Sequence, residues 1–290
     1  MNQKLLSLIN SQKPFSAIRF GHTEAAVLIN LSRGETCTDG IKYWLEYGAG
    51  VWPTDDEFLR STFFLVNLHA YRSADIIGFV SEDHAESFSL LHGRKKYLWS
   101  RGSRVFLEPV YLLGQCWAIP SPPWTEALRA KNVLIVSPFK RTIEHQWEHR
   151  FKIWGSYCEL LMPYNLVGVV VPPHPPVIAG HEYFWRGHHY NSWLDATFTI
   201  LEELSNIEFD IAFIGAGALS PILATGIKSL GKGSITLNST TQLHFGISGR
   251  RWNEHQPNVL NPLFNEHWLS RPFEDDVPKF AHLTPERAYY

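Results

Sequence analysis

The chain has 290 residues, 44% of them apolar and 19% charged, with a formal net charge of −2. That length allows one large domain or two modest ones with a sizeable core, and the near-zero charge offers no basic field to recruit nucleic acid. Three cysteines without a Cys-x-x-Cys pair argue against a zinc ribbon or disulfide framework, and the longest apolar run, 166–173, is too short for a bilayer, so a cytoplasmic protein is the default expectation.

In chain order, residues 1–12 form a short amphipathic helix stopped by Pro14, and Phe15 to Phe20 is the first strand. A helix from Glu24 to Arg33 is closed by Gly34. Another lies around Ile41 to Tyr47, before the turn Gly48-Ala49-Gly50. Thr54-Asp55-Asp56-Glu57 has the spacing of a capping box and starts a helix to about Tyr71. Ala74 to Val80 is a strand, and a further strand is expected near Arg104 to Leu107. The cluster Gly93-Arg94-Lys95-Lys96 fits a solvated turn.

From residue 130, short apolar runs alternate with helical segments. The strands are Asn132 to Ser137, Asn165 to Val171, Phe209 to Ile214 and Ser234 to Leu237. The helices are Arg141 to Phe151, Trp193 to Leu204 and Ser220 to Leu230, and Pro172 to Gly187 reads as a loop. This alternation predicts parallel βαβ units in one Rossmann-like, doubly wound, mostly parallel sheet with helices on both faces. We expect a single domain over 1–290, with an N-terminal half (1–130), a Rossmann-like half (131–250) and an aromatic-rich tail (251–290) wrapped over the sheet end. The aromatic load, 11 Trp, 11 Tyr and 18 Phe, suits ring-lined pockets and admits a homo-oligomer interface.

Four constellations carry chemistry. Arg19-Phe20-Gly21-His22-Thr23-Glu24 crowds polar groups where the first strand ends, the place at which open α/β sheets bind ligands. Gly215-Ala216-Gly217 links a strand to a helix, as a phosphate cradle or simply as a tight turn. Val136-Ser137-Pro138-Phe139-Lys140-Arg141 puts two cations at a helix start, which is unfavourable unless an anion sits nearby. Gln242 to Trp252 ends in Arg250-Arg251-Trp252, suited to gripping phosphate and stacking a ring. His181-Glu182 with His188-His189 lacks helical metal-ligand spacing, and neither a Walker A pattern nor a Gly-x-Ser-x-Gly elbow occurs. A dinucleotide enzyme is disfavoured because Ser220 replaces the third glycine and Leu237-Asn238 stand where an acidic residue is needed.

Together these segments resemble the GT-D-fold glycosyltransferases of bacterial cell-surface glycosylation. That family's first turn reads Arg-(Phe/Tyr/Ile)-Gly-Asp-Gly-Glu, against Arg19-Phe20-Gly21-His22-Thr23-Glu24 here. Ala49-Gly50-Val51-Trp52-Pro53 is similar to Ala-Gly-(Ile/Val)-Phe-Pro, and Val136 to Phe139 with Ile143 and Gln146 follows the same family order. So do Gln242 to Trp252, the Asn265-Glu266-x-Trp268 segment and Glu286 with Tyr289 and Tyr290.

The resemblance implies sugar transfer from a nucleotide-sugar donor of the UDP type to a glycan acceptor, in capsule or O-antigen synthesis. It implies Glu24 and Arg19 as catalytic residues. Donor-binding residues would be Gly21, Ser137, Phe139, Lys140, Gly215, Gly217, Gln242, Gly246, Arg250 and Arg251. The family's Asp-x-Glu metal motif departs here, leaving His22 and Glu24 as ligands for Mn²⁺ or Mg²⁺. Cation-assisted departure of the nucleotide, by Lys140, Arg250 and Arg251, is the alternative, and Arg19 would then orient Glu24. The general base would be Glu24, Glu266 or Glu286. A catalytically degenerate nucleotide- or glycan-binding protein is the competing expectation. The place of action would be the cytoplasm, including the periphery of the inner membrane.

Overall fold

The structure is a computed structural model that describes residues 2–93, 98–99, 122–173, 184–250, 264–277 and 281–285. The expected strand near 104–107, the cations 94–96, Cys116, His181-Glu182, Arg251, Trp252, Glu286, Tyr289 and Tyr290 lie outside the described residues.

One seven-stranded sheet organises the chain, in the order β3-β2-β1-β9-β8-β4-β5, with every pairing parallel. Its strands are β1 (Phe15–Phe20), β2 (Ile76–Phe79), β3 (Leu98–Trp99), β4 (Asn132–Val136), β5 (Asn165–Val170), β8 (Ile211–Ile214) and β9 (Gly233–Thr236). The fold is therefore α/β and Rossmann-like. Strands from both halves of the chain join where β1 pairs with β9. The central strands are buried along their length because helices cover both faces; β8 reads as an unbroken apolar run, while β1 and β9 carry the buried polar residues Ser16, Arg19, Ser234 and Thr236.

Side chains alternate between two cores. One face holds Ile18, Phe20, Leu134, Val136, Ala212 and Ile214 under α2 (His22–Ser32), α3 (Phe64–Ser73) and α4 (Glu82–His92). The other holds Phe15, Ala17, Val133, Ile135, Ile211 and Phe213 under α1 (Asn2–Asn10) and α5 (Lys140–Glu148). The remaining longer helices, α6 (Trp193–Ser205) and α7 (Ser220–Ser229), join the first face. The short α8 (Thr240–His244) packs on the second through Leu243.

Two local expectations are corrected. The Thr54–Glu57 capping box does not form. Asp55 is the N-cap and accepts the Phe58 N–H at 2.9 Å, because the Thr54 hydroxyl is directed instead to Glu46 Oε2 at 3.3 Å. A true capping box starts α6, where Ser192 and Asp195 bond reciprocally. The loop expected over 172–187 ends in a hairpin of β6 (Phe184–Trp185) and β7 (His188–His189). Arg186 and Gly187 both take positive φ in its two-residue turn.

The tail is tied to the second face. Trp268 sits against Trp154 (5.0 Å) and Phe264 (4.5 Å), and Asn265 Nδ2 donates to the Ile153 carbonyl at 3.0 Å. Gln146, buried on α5, donates to the carbonyls of Gly246 (3.2 Å) and His267 (3.1 Å), and Ile247 bridges Leu269.

Candidate functional site

Parallel strands place all their carboxyl ends at one sheet edge. The helices after β4 and β8 leave toward opposite faces, as do those after β1 and β9, so each pair opens a crevice there. The edge gathers the turn after β1 (Arg19 to Glu24), that after β9 (Leu237 to Thr241), that after β8 (Gly215 to Gly217) and that after β4 (Ser137 to Lys140). Adjacent turns are bonded. Gly215 N–H donates to the Val136 carbonyl at 2.8 Å, and the N–H groups of Leu237 and Asn238 both donate to Ile214 O at 2.9 Å.

In the β1 turn, Arg19 and Glu24 are buried and His22 is exposed. Glu24 is the third residue of α2, and a carboxylate in the first turn is favoured by the helix dipole. It folds back so far that a Cβ on Gly21 would lie within 3 Å of both its oxygens. Gly21 has φ −68 and ψ 174, ordinary extended backbone, so glycine is required by this close approach and not by conformation. Gly21→Ala should therefore displace the Glu24 carboxylate and cost roughly 1–2 kcal/mol, read from denaturant midpoints against wild type.

The His22 ring stands 4.6 Å from the ring of His84 on α4, just beyond β2. Burial, with His22 beside it, pushes the His84 imidazole below its ordinary value. His22 and Glu24 thus have different surroundings, one facing His84 and one facing Gly21. Among the described residues no group of three or more His, Cys, Asp or Glu is placed to hold a metal ion. The expected His22–Glu24 ligand pair places one exposed and one buried group on the first turn of α2, and a diphosphate and water would supply the remaining donors of a divalent cation there.

Both glycines after β8 are filled by protein. A Cβ on Gly215 would stand 2.7 Å from Thr241 Oγ1 and 2.8 Å from the Asn238 carbonyl, and one on Gly217 2.6 Å from the Ala49 carbonyl. Ala216 N–H donates to Ser220 Oγ at 3.1 Å. The turn serves close backbone packing, and residues 44–49 are seated on it.

The start of α5 already has its anion. Asp276 of the tail accepts from Arg141 N–H (3.2 Å), Thr142 N–H (2.6 Å) and Thr142 Oγ1 (2.6 Å), and Asp275 pairs with the Arg141 guanidinium. This explains two cations at a helix N-terminus without a diphosphate. Ser137 and Phe139 are buried, the latter in the second core, while Lys140 is exposed and 3.9 Å from Glu144. Gln242 is buried after β9. Gly246, at φ 68, packs on Ile153 and belongs to the tail anchor, and Arg250 is exposed. The edge therefore assembles the expected catalytic residues Arg19 and Glu24 with the expected donor residues Gly21, Ser137, Phe139, Lys140, Gly215 and Gly217, whereas Gly246 packs against Ile153.

One carboxylate was passed over in the sequence. Glu46 lies on the π-helical stretch Trp44–Ala49 whose end touches Gly217, a helix type enriched at functional sites. Burial pushes its carboxyl up, partly offset by the Thr54 hydroxyl. The mid-helix widening has no sequence signature, so Glu46 reads as an ordinary solvated residue. No family model matches this chain, and neither does a curated protein or a solved structure.

Proposed function

We propose that the protein is a glycosyltransferase that moves a sugar from a nucleotide-sugar donor to a glycan acceptor in bacterial surface-polysaccharide synthesis, acting in the cytoplasm or at the inner-membrane periphery. The observation that carries this reading is convergence. Arg19 to Glu24, Ala49, Ser137 and Gly215 to Gly217, far apart in sequence, meet at the crevice edge of one parallel sheet. Departure of a nucleoside diphosphate develops negative charge, and a buried arginine at this edge supplies preorganised compensation. Glu24 fixes the turn that presents Arg19 and Gly21. Charge compensation is assigned to Arg19, and no step is routed through a metal.

The test is product formation from a nucleotide-sugar panel with a glycan acceptor pool. We expect transfer to persist in EDTA and Arg19→Lys to lower kcat/KM about 100-fold, since a lysine point charge does not reproduce the guanidinium fork. Abolition by EDTA, restored by Mn²⁺, would contradict the metal-free reading. The competing reading, a binder without turnover, is favoured by the tucked position of Glu24. It prevails if nucleotide sugars bind yet no diphosphate is released with any acceptor.

A further inference from the structure

The turn from β9 into α8 concentrates polar atoms that the rest of the protein leaves unmatched. Thr236 Oγ1, Asn238 Oδ1, Thr240 Oγ1 and Thr241 Oγ1 are shielded from solvent and make no hydrogen bond among the described residues. Thr236, Thr240 and Thr241 are at most 5% exposed. Thr197 and Thr225 find carbonyls, at Trp193 (2.8 Å) and Pro221 (2.9 Å), and the other buried unmatched threonines, Thr125 and Thr284, stand singly rather than in a cluster. An orphaned buried hydroxyl is costly, and valine would fill the same volume without that cost. Four such groups within six residues therefore call for partners from outside the chain.

The backbone there is also specialised. Asn238 holds φ 52, a strained value for a residue with a Cβ, and Gly215 leaves room for Thr241 and the Asn238 carbonyl. The turn lies beyond the carboxyl end of β9, between β8 and the Arg19 strand. Residues 233–249 contain no Asp, Glu, Lys or Arg, so the groups on offer are neutral donors and acceptors.

We propose that the Thr236–Thr241 turn is a subsite for the neutral, hydrogen-bonding part of the donor: hydroxyls of its sugars or the amide edge of its base. The diphosphate charge is met on the Arg19 side. This assignment rests on the nucleotide-sugar reading above. The oxygens are shielded in this structure, so binding at them requires the turn itself to move.

The test is calorimetric titration of the wild-type chain with UDP-glucose, UDP-N-acetylglucosamine, GDP-mannose, dTDP-rhamnose and CMP-N-acetylneuraminate. The tightest binder is then repeated with Thr240→Val/Thr241→Val and with Thr236→Val. We expect both variants to melt at or above the wild-type temperature without ligand, and to bind the donor about tenfold more weakly. Binding of inorganic pyrophosphate should be unchanged. If the loss persists with the corresponding nucleotide lacking the transferred sugar, the base or ribose occupies the turn; if it vanishes, the transferred sugar does. Full donor affinity in both variants overturns the subsite and leaves the donor reading standing. So does a lowered melting temperature with unchanged affinity, the mark of a buried structural water, and so does an equal loss of pyrophosphate binding. Wild-type protein that binds none of the panel overturns the donor reading and the subsite together.

Discussion

Acidification from pH 6.5 to 3 should remove roughly 3–5 kcal/mol of stability through a single side chain, His244. This histidine is 1% exposed in the second core. Its Nε2 shares a 2.9 Å hydrogen bond with the Tyr164 hydroxyl, and aromatic rings of Tyr164, Phe213 and Phe245 surround it. Burial lowers its pKa from 6.5 to about 3. The unfolded chain protonates this group near 6.5 and the folded chain does not until about 3, so between those values the unfolded state binds the extra proton. The stability is fully present above pH 6.5 and is lost progressively as pH falls toward 3. Urea titrations at half-unit pH steps measure it. His244→Phe should flatten the slope in that window even if the variant is less stable overall. An unchanged slope would show that other groups govern the acid response.

Asp276→Ala should cost about 3 kcal/mol, a large value for one side chain outside the sheet. The carboxylate accepts three hydrogen bonds at the start of α5, two from backbone N–H groups that have no partner within their own helix. Removing it leaves buried donors unsatisfied and frees the Phe273–Asp276 segment, whose Phe273 N–H is held by Thr142 Oγ1 at 2.9 Å. Chemical denaturation gives the energy. Limited proteolysis gives the location, with new cleavage expected between 270 and 277 while the sheet stays protected. Asp276→Asn should lose less, because the amide oxygen still accepts. Equal stability of Asp276→Ala and wild type would mean the cap is replaced by water.

The sheet was legible because its central strands are buried on both faces, and Val133 to Val136 or Phe15 to Phe20 cannot be anything but interior. The ligand edge was legible for the same reason, since strand ends fix where turns converge. Less visible was what each turn does there. Gly215 and Gly217 signalled close approach, but sequence does not say what approaches, and among the protein's own groups it is Thr241 and Ala49. The cations at 140–141 carried the expectation of an anion nearby. Its source, Asp276, lies more than 130 residues away and carries no local pattern. The threonines of 236–241 carry no sequence signal, because an unmet hydroxyl is a property of packing alone.

The pairing of β1 with β9 also sets the order in which the chain can be finished on the ribosome. Phe15 waits for Gly233, roughly 200 residues later, which at bacterial or eukaryotic elongation speeds is on the order of 10–40 s. Throughout that interval the Phe15–Ala17 flank of β1 lacks its partner strand and stands open to other nascent chains, an invitation to aggregation. A product truncated before residue 233 keeps that flank open permanently.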